Sequence, residues 1–226
     1  MIAAITGFIA GLVHVLTGPD HLAAIAPLAA RQRERAWIPG MRWGIGHSAG
    51  VAAVGFLSLL FRDLIPLELI SSWGERFVGV MLLGIGLWAW RRALKHRLHT
   101  HEHEHDGNRH VHIHVHAHQL AHKEASAHMH HTHAAFGIGT LHGLAGSSHF
   151  LGVLPILAFS TRLESLAYLL AFGAGTIAAM AGFSWGMGLV AAKCSARSLL
   201  IYRRFMLGCA ASAMLVGGFW LVTSFL

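Results

Sequence analysis

The chain alternates between long apolar stretches and short segments that hold most of its charged residues. Each apolar stretch is long enough for a helix to cross a bilayer, which takes about 20 residues. The pattern therefore predicts an all-α, polytopic membrane protein with six transmembrane helices. The stretches cover residues 2–30, 37–61, 70–90, 134–160, 164–192 and 199–225.

The first stretch is too long for one straight span, and it contains Gly18-Pro19 and Pro27. Proline removes a helical hydrogen bond and disfavours helical geometry in the residue before it. We therefore expect this helix to be broken or kinked. It has no Lys or Arg ahead of its apolar run and contains Asp20, so we expect it to belong to the mature protein rather than to a signal peptide.

Composition and charge agree with a membrane protein. Hydrophobic residues make up 54% of the 226 residues and charged residues only 12%, about half the charged fraction of soluble domains. The net charge of +7 does not indicate nucleic acid as a partner, because Lys and Arg gather at the ends of the spans. Two cysteines, Cys194 and Cys209, are too few for a disulfide framework.

The basic residues predict the orientation. Of the 17 Lys and Arg residues, all but Arg62, Arg76 and Arg162 lie on the side of the 31–36, 91–133 and 193–204 connections. Basic loops face the cytoplasm. We therefore expect a multi-pass protein of the bacterial cytoplasmic (inner) membrane, with both termini outside.

An internal repeat relates the two halves of the chain. The segment from His14 to Pro27 lies over the segment from His142 to Pro155 at a constant offset of 128, and Gly44-Ile-Gly46 matches Gly173-Ala-Gly175. With three spans per copy, the second copy must be inverted in the membrane, as in many secondary transporters. We expect two inverted three-helix repeats, residues 1–92 and 134–226, with broken first and fourth helices and a connecting loop at 93–133.

Ionisable residues inside the spans are few. The repeat relates two pairs of them, His14 with His21 and His142 with His149. Such residues are costly in a bilayer and mark ion or proton pathways. On a continuous helix, residues seven apart share a face, so each pair would point toward the protein centre. The candidate metal ligands are His14, Asp20, His21, His47, His142 and His149, with Ser147 and Ser148 as weaker ligands.

Imidazole suits nickel, cobalt, copper, zinc and iron(II), whereas magnesium and calcium prefer oxygen ligands. No thiolate accompanies the set, which disfavours copper(I). Asp20 would offset part of the ion's charge. His47 follows glycines that allow close helix packing, and it could be a ligand or a step on the exit path.

The 93–133 loop is rich in histidine, a composition typical of metal-binding tracts. We expect it to be disordered until metal binds and to act as an accessory buffer or sensor. Its candidate ligands are His99, His101, His103, His105, His110, His112, His114, His116 and His118.

Around His14, Asp20 and His21 the sequence resembles the nickel/cobalt transporter superfamily, whose hallmark is a histidine, four residues and then Asp-His. Here five residues intervene between His14 and Asp20. The segment His142 to His149 resembles the second-half motif of the six-span, urease-accessory-like branch. The resemblance implies Ni²⁺ or Co²⁺ as the transported ion, no required cofactor, and nickel-enzyme maturation proteins as candidate partners beside membrane lipid and the ion.

Two other classes stay open. A membrane di-iron enzyme would also carry many histidines, but the inverted repeat favours transport and we expect no enzymatic activity. A membrane-anchored metal buffer would need no paired histidines inside the spans. The sequence leaves the direction of transport, its energy coupling and the oligomeric state undetermined.

Overall fold

The computed structural model describes residues 1–31, 35–60, 67–95, 99–105, 108–114, 124–145, 155 and 159–225. Within these ranges the chain forms seven helices and one two-stranded hairpin. The helices are α1 (Ile2–Thr17), α2 (Pro19–Ala29), α3 (Trp37–Leu60), α4 (Leu67–Lys95), α5 (Glu124–Ala145), α6 (Arg162–Arg197) and α7 (Leu199–Thr223). The helical part of this architecture agrees with the all-α membrane protein that the sequence pattern predicts.

The break expected in the first apolar stretch lies at Gly18. α1 ends at Thr17, Gly18 is extended, and α2 begins at Pro19, where a proline fits the first turn because its missing N–H would have no helical partner. The two helices are bent by 74°. Pro27, in contrast, lies inside α2 and does not end it.

Three helices in the described part of the chain are long and apolar enough to cross a membrane, and a fourth span results if the bent pair α1 and α2 counts as one. The six-span arrangement stays a prediction. The outer surface is apolar, with exposed side chains such as Leu170 and Leu215, whereas Asp20, His21 and His47 are buried. Such a surface suits lipid as the surrounding solvent.

Glycines bring the helices of two pairs into close contact, α1 with α6 and α5 with α3. A Cβ on Gly11 would collide with the carbonyl of Phe172, and a Cβ on Gly139 would collide with that of Trp43. The repeat relates these two contacts, because Gly139 lies 128 residues after Gly11 and Phe172 lies 129 residues after Trp43. Small residues at these positions let the helix backbones approach closely, as in other membrane helix pairs.

The second contact of each pair follows the same rule. A Cβ on Gly175 would collide with the carbonyl of Phe8, and a Cβ on Gly46 would collide with that of Phe136. The two helix pairs are thus equivalent in register, and the matches between Gly44-Ile-Gly46 and Gly173-Ala-Gly175 reflect packing. α4 and α7 form another close pair.

Part of the histidine-rich segment lies within the described residues, and the expectation that the segment is disordered until metal binds stays a prediction. The described part contains antiparallel strands β1 (His99–His105) and β2 (Asn108–His114), and α5 begins at Glu124, ahead of the predicted span at 134. Strict alternation of histidine with other residues has the period of a strand, and the intervening Asp106-Gly107 favours a two-residue hairpin turn. These are the sequence features that favour a hairpin.

Candidate metal centre

The bend between α1 and α2 places three ionisable side chains together. His14 lies in the last turn of α1, and Asp20 and His21 lie in the first turn of α2. The rings of His14 and His21 are 4.7 Å apart between centroids. They meet because the chain bends at the expected break, not because a spacing of seven residues puts them on one face of a continuous helix.

Gly18 leaves room for this arrangement. A Cβ at this position would collide with Nδ1 of His21 and would stand 3.0 Å from Oδ1 of Asp20. The extended backbone of Gly18 also presents its carbonyl oxygen to the N–H of His21, 3.2 Å away. A glycine is therefore required here by the close approach of the two side chains that follow it.

Helices α3 and α5 bring His47 and His142 to the same place. The ring of His21 lies 4.9 Å from that of His47 and 4.8 Å from that of His142, between centroids. His47 and His142 are fully buried, and His21 is 1% exposed. The close pairing of α3 with α5 through Gly46 and Gly139 holds these two histidines side by side, with centroids 5.5 Å apart.

Asp20 connects the two halves of the cluster. Its Oδ1 lies 2.9 Å from Nδ1 of His21, and its Oδ2 lies 3.1 Å from Nε2 of His142. Since an ionised carboxylate can only accept, Nδ1 of His21 donates to it, while His142 lies within ion-pair distance of the same carboxylate. The position in the first turn of α2 also favours a negative charge, because the helix dipole is positive there.

Two overlapping groups of donor atoms result. Those of His14, His21 and His47 lie within 4.8 Å of one another, and so do those of Asp20, His21 and His142. Donors that share one ion at about 2.1 Å are at most about 4.2 Å apart. A small inward movement of the side chains would therefore suffice for one divalent ion to be held by imidazoles and one carboxylate.

The sequence analysis missed Trp43 and Phe172. The indole of Trp43 stacks on His47, with centroids 5.1 Å apart and planes 9° apart, and lies 5.1 Å from His142. On the other side, the ring of Phe172 lies 5.4 Å from His14. Trp43 precedes His47 by one helical turn, a spacing that places it on the same face, but an aromatic residue in an apolar helix is not otherwise a signal.

Five of the six predicted principal ligands meet in this cluster: His14, Asp20, His21, His47 and His142. His47, which the sequence analysis leaves as a ligand or a step on the exit path, lies inside it. The predicted ligands His149, Ser147 and Ser148 lie outside the described residues, as do His116 and His118 of the loop. The other loop candidates lie on β1 and β2.

Comparison with known proteins places this chain in a family. The chain is 31% identical over 213 residues to the urease accessory protein UreH of Bacillus sp. (strain TB-90), an alignment that covers 88% of this chain and 82% of that protein. The chain belongs to the UreH family. No family model matches this UreH-family chain, and no solved structure matches it.

Two plant proteins are also similar to the chain. It is 35% identical to the chloroplast protein FOR GROWTH AND FERTILITY 2 of Arabidopsis thaliana and 36% identical to FOR GROWTH AND FERTILITY 1, in each case over 184 residues and 81% of this chain. The alignments cover 46% and 48% of those two proteins. The chain thus spans about half the length of these plant relatives.

Proposed function

We propose that this protein is a transmembrane carrier of a divalent transition-metal ion, nickel or cobalt, and that the buried cluster is its substrate site. One observation carries the proposal: four imidazoles and a carboxylate from α1, α2, α3 and α5 converge inside an apolar helix bundle. Ionisable groups in such a place are costly and usually mark an ion pathway. Membership of the UreH family supports a membrane role related to urease maturation.

The donor set suits transient binding of a borderline metal. Imidazole favours nickel, cobalt and zinc over magnesium and calcium, and the resemblance to the nickel/cobalt transporter superfamily narrows the choice to the first two. With one carboxylate, Asp20, the cluster neutralises half the charge of a divalent ion. A site that left no net charge would hold the ion more firmly and release it more slowly. We therefore propose a carrier rather than an enzyme.

The equivalence of the α1–α6 and α5–α3 pairs supports the six-span inverted repeat. In the repeat α1 corresponds to α5, and α3 corresponds to α6, so the α1–α6 pair corresponds to the α5–α3 pair. The third helices of the two repeats, α4 and α7, pair with each other. Inverted repeats let a transporter expose one site to either side in turn by rocking one half against the other. The cluster draws residues from both repeats, because His142 belongs to the second.

Arginine contacts at the two ends of the bundle support the proposed orientation. The Arg31 and Arg92 guanidinium carbons lie 5.2 Å and 5.8 Å from the centroid of the Trp88 ring. At the other end Arg76 donates through Nη2 to the carbonyl oxygen of Ser224, 3.1 Å away. The ends of α2 and α4 therefore share one side, which we propose is cytoplasmic, and the C-terminus lies on the other.

The test is nickel entry into proteoliposomes that contain a fluorescent chelator. We expect the wild-type protein to admit Ni²⁺ faster than empty vesicles. His21→Ala should lower the rate at least tenfold, because His21 belongs to both groups of donor atoms. The matched control is His110→Ala, which removes a histidine of β2 and should leave the rate close to that of the wild type.

Insertion of each variant is checked by its yield from the membrane and by its elution profile in detergent. Wild-type protein that inserts and folds but admits no more Ni²⁺ than empty vesicles would contradict the proposed function. If the Ni²⁺ entry rates of His21→Ala and His110→Ala were equal, the cluster would not be part of the transport pathway.

A further inference from the structure

Helix α6 carries a buried hydroxyl at the position that the repeat assigns to His47. The offset of 129 that relates Gly44-Ile-Gly46 to Gly173-Ala-Gly175 takes His47 to Thr176. Thr176 is 0% exposed. Its Oγ1 has no hydrogen-bond partner among the residues that the structure describes, although a helical threonine usually bonds to the carbonyl one turn back. A buried hydroxyl without a hydrogen bond costs free energy of folding, and such locally unfavourable groups are expected mainly at functional sites.

The repeat also relates the residues around Thr176 to those around His47. In one copy the ring of Trp43 lies 5.1 Å from His142, and in the other the ring of Phe172 lies 5.4 Å from His14. A Cβ on Gly11 would stand 2.9 Å from the backbone nitrogen of Thr176. The ring of His47 lies 5.5 Å from that of His142, and from the repeat we expect Thr176 to lie beside His14 in the same way.

We propose that Thr176 supplies a weak oxygen ligand to the ion on the side of His14. At the equivalent position of the first repeat the ligand is the imidazole of His47. The inference rests on the proposed function and adds a residue that sets its affinity. A neutral hydroxyl binds nickel or cobalt more weakly than imidazole does. The two halves of the cluster thus differ in strength, and the Thr176 side is the one from which the ion leaves more readily.

Three substitutions separate this role from a packing role. Thr176→Val keeps the shape and removes the hydroxyl, Thr176→Ser keeps the hydroxyl, and Thr176→His restores the symmetry with His47. The matched control is Thr223→Val, because Oγ1 of Thr223 bonds within its own helix to the carbonyl of Phe219 at 3.0 Å. All are made in protein whose loop histidines are replaced by Asn, so that Ni²⁺ binding reports the intramembrane site.

Nickel flux into proteoliposomes gives KM and the maximal rate, calorimetry in detergent gives Kd, and thermal unfolding gives the midpoint. We expect Thr176→Val to raise KM about tenfold, the size of one hydrogen bond or contact to a charged group, with an unchanged or higher midpoint. Thr176→Ser should keep the wild-type KM. Thr176→His should lower Kd at least tenfold and slow the maximal rate, since the ion is held more firmly.

A wild-type KM in Thr176→Val together with a lower midpoint would show that the hydroxyl serves packing and would overturn the inference. An unchanged Kd in Thr176→His would show that position 176 does not face the ion, with the same consequence. Absence of Ni²⁺ flux in the wild type would contradict the proposed function itself. The two failures are therefore distinguishable.

Discussion

Replacement of Asp20 by Asn isolates the charge of the cluster. Asn keeps the size of Asp and one of its acceptors, but it removes the only carboxylate among the clustered side chains. Two unit charges about 4 Å apart interact by about 4 kcal/mol at an effective dielectric of 20, so a divalent ion and a carboxylate interact by about 8 kcal/mol. A loss of only a third of this, about 2.7 kcal/mol, raises Kd about 100-fold.

Ni²⁺ binding is measured by calorimetry in protein whose loop histidines are Asn, and flux is measured in proteoliposomes. We expect Asp20→Asn to raise Kd at least about 100-fold and to abolish measurable flux at micromolar nickel. The matched control is Glu164→Gln, which removes a negative charge from the exposed start of α6, where Glu164 contacts Thr161. That variant should bind and transport like the wild type.

Asp20→Asn protein that is inserted, folded and binds Ni²⁺ with wild-type affinity would refute the reasoning. The carboxylate would then serve only to orient His21 and His142. Loss of binding in Glu164→Gln to the same extent would point to the net charge of the protein instead of the local field at the cluster.

Three further predictions follow from the fold. Gly18→Ala should weaken Ni²⁺ binding at least tenfold in calorimetry, because its Cβ would occupy the place of the His21 ring. The control is Gly182→Ala, which has open space around it and should bind Ni²⁺ like the wild type. Equal affinities of the two variants would contradict the packing argument. Replacement of residues 99–131 by a Gly-Ser linker should change KM for flux by a modest factor, and complete loss of flux in an inserted protein would make the loop part of the pathway. Cysteines introduced in the 91–133 segment of a Cys-free variant should resist a membrane-impermeant label in intact cells, whereas labelling there would reverse the orientation.

The sequence predicted the ionisable part of the site because such residues stand out in apolar stretches. His14, Asp20 and His21 are recognisable in this way, and the repeat added His142. Gly18-Pro19 predicted the break for a local reason that needs no tertiary information. The consequence of the break was not predictable, since the 74° bend and the convergence of the two rings depend on how α2 packs.

Neutral members of the site gave no such signal. Trp43 and Phe172, whose rings contact the clustered histidines, and Thr176, which we propose as a ligand, are ordinary residues for a membrane helix. Only their neighbours in space distinguish them. The sequence contains the spacing of Trp43 and His47 and the offset that relates His47 to Thr176, but not the pairing of α3 with α5 or of α1 with α6. Helix pairing in membranes follows small residues, and this chain has 26 glycines, too many to select the partners.

The most direct test of the central claim is X-ray absorption at the nickel K-edge on protein whose loop histidines are all Asn. This variant leaves His14, His21, His47, His142 and His149 as the only imidazoles. The account predicts one bound Ni²⁺ with nitrogen and oxygen ligands at about 2.1 Å and the scattering pattern of several imidazoles, and it predicts loss of that pattern in the His21→Ala, His142→Ala double variant. Nickel that is bound without imidazole ligands, or the same spectrum in the double variant, would contradict it.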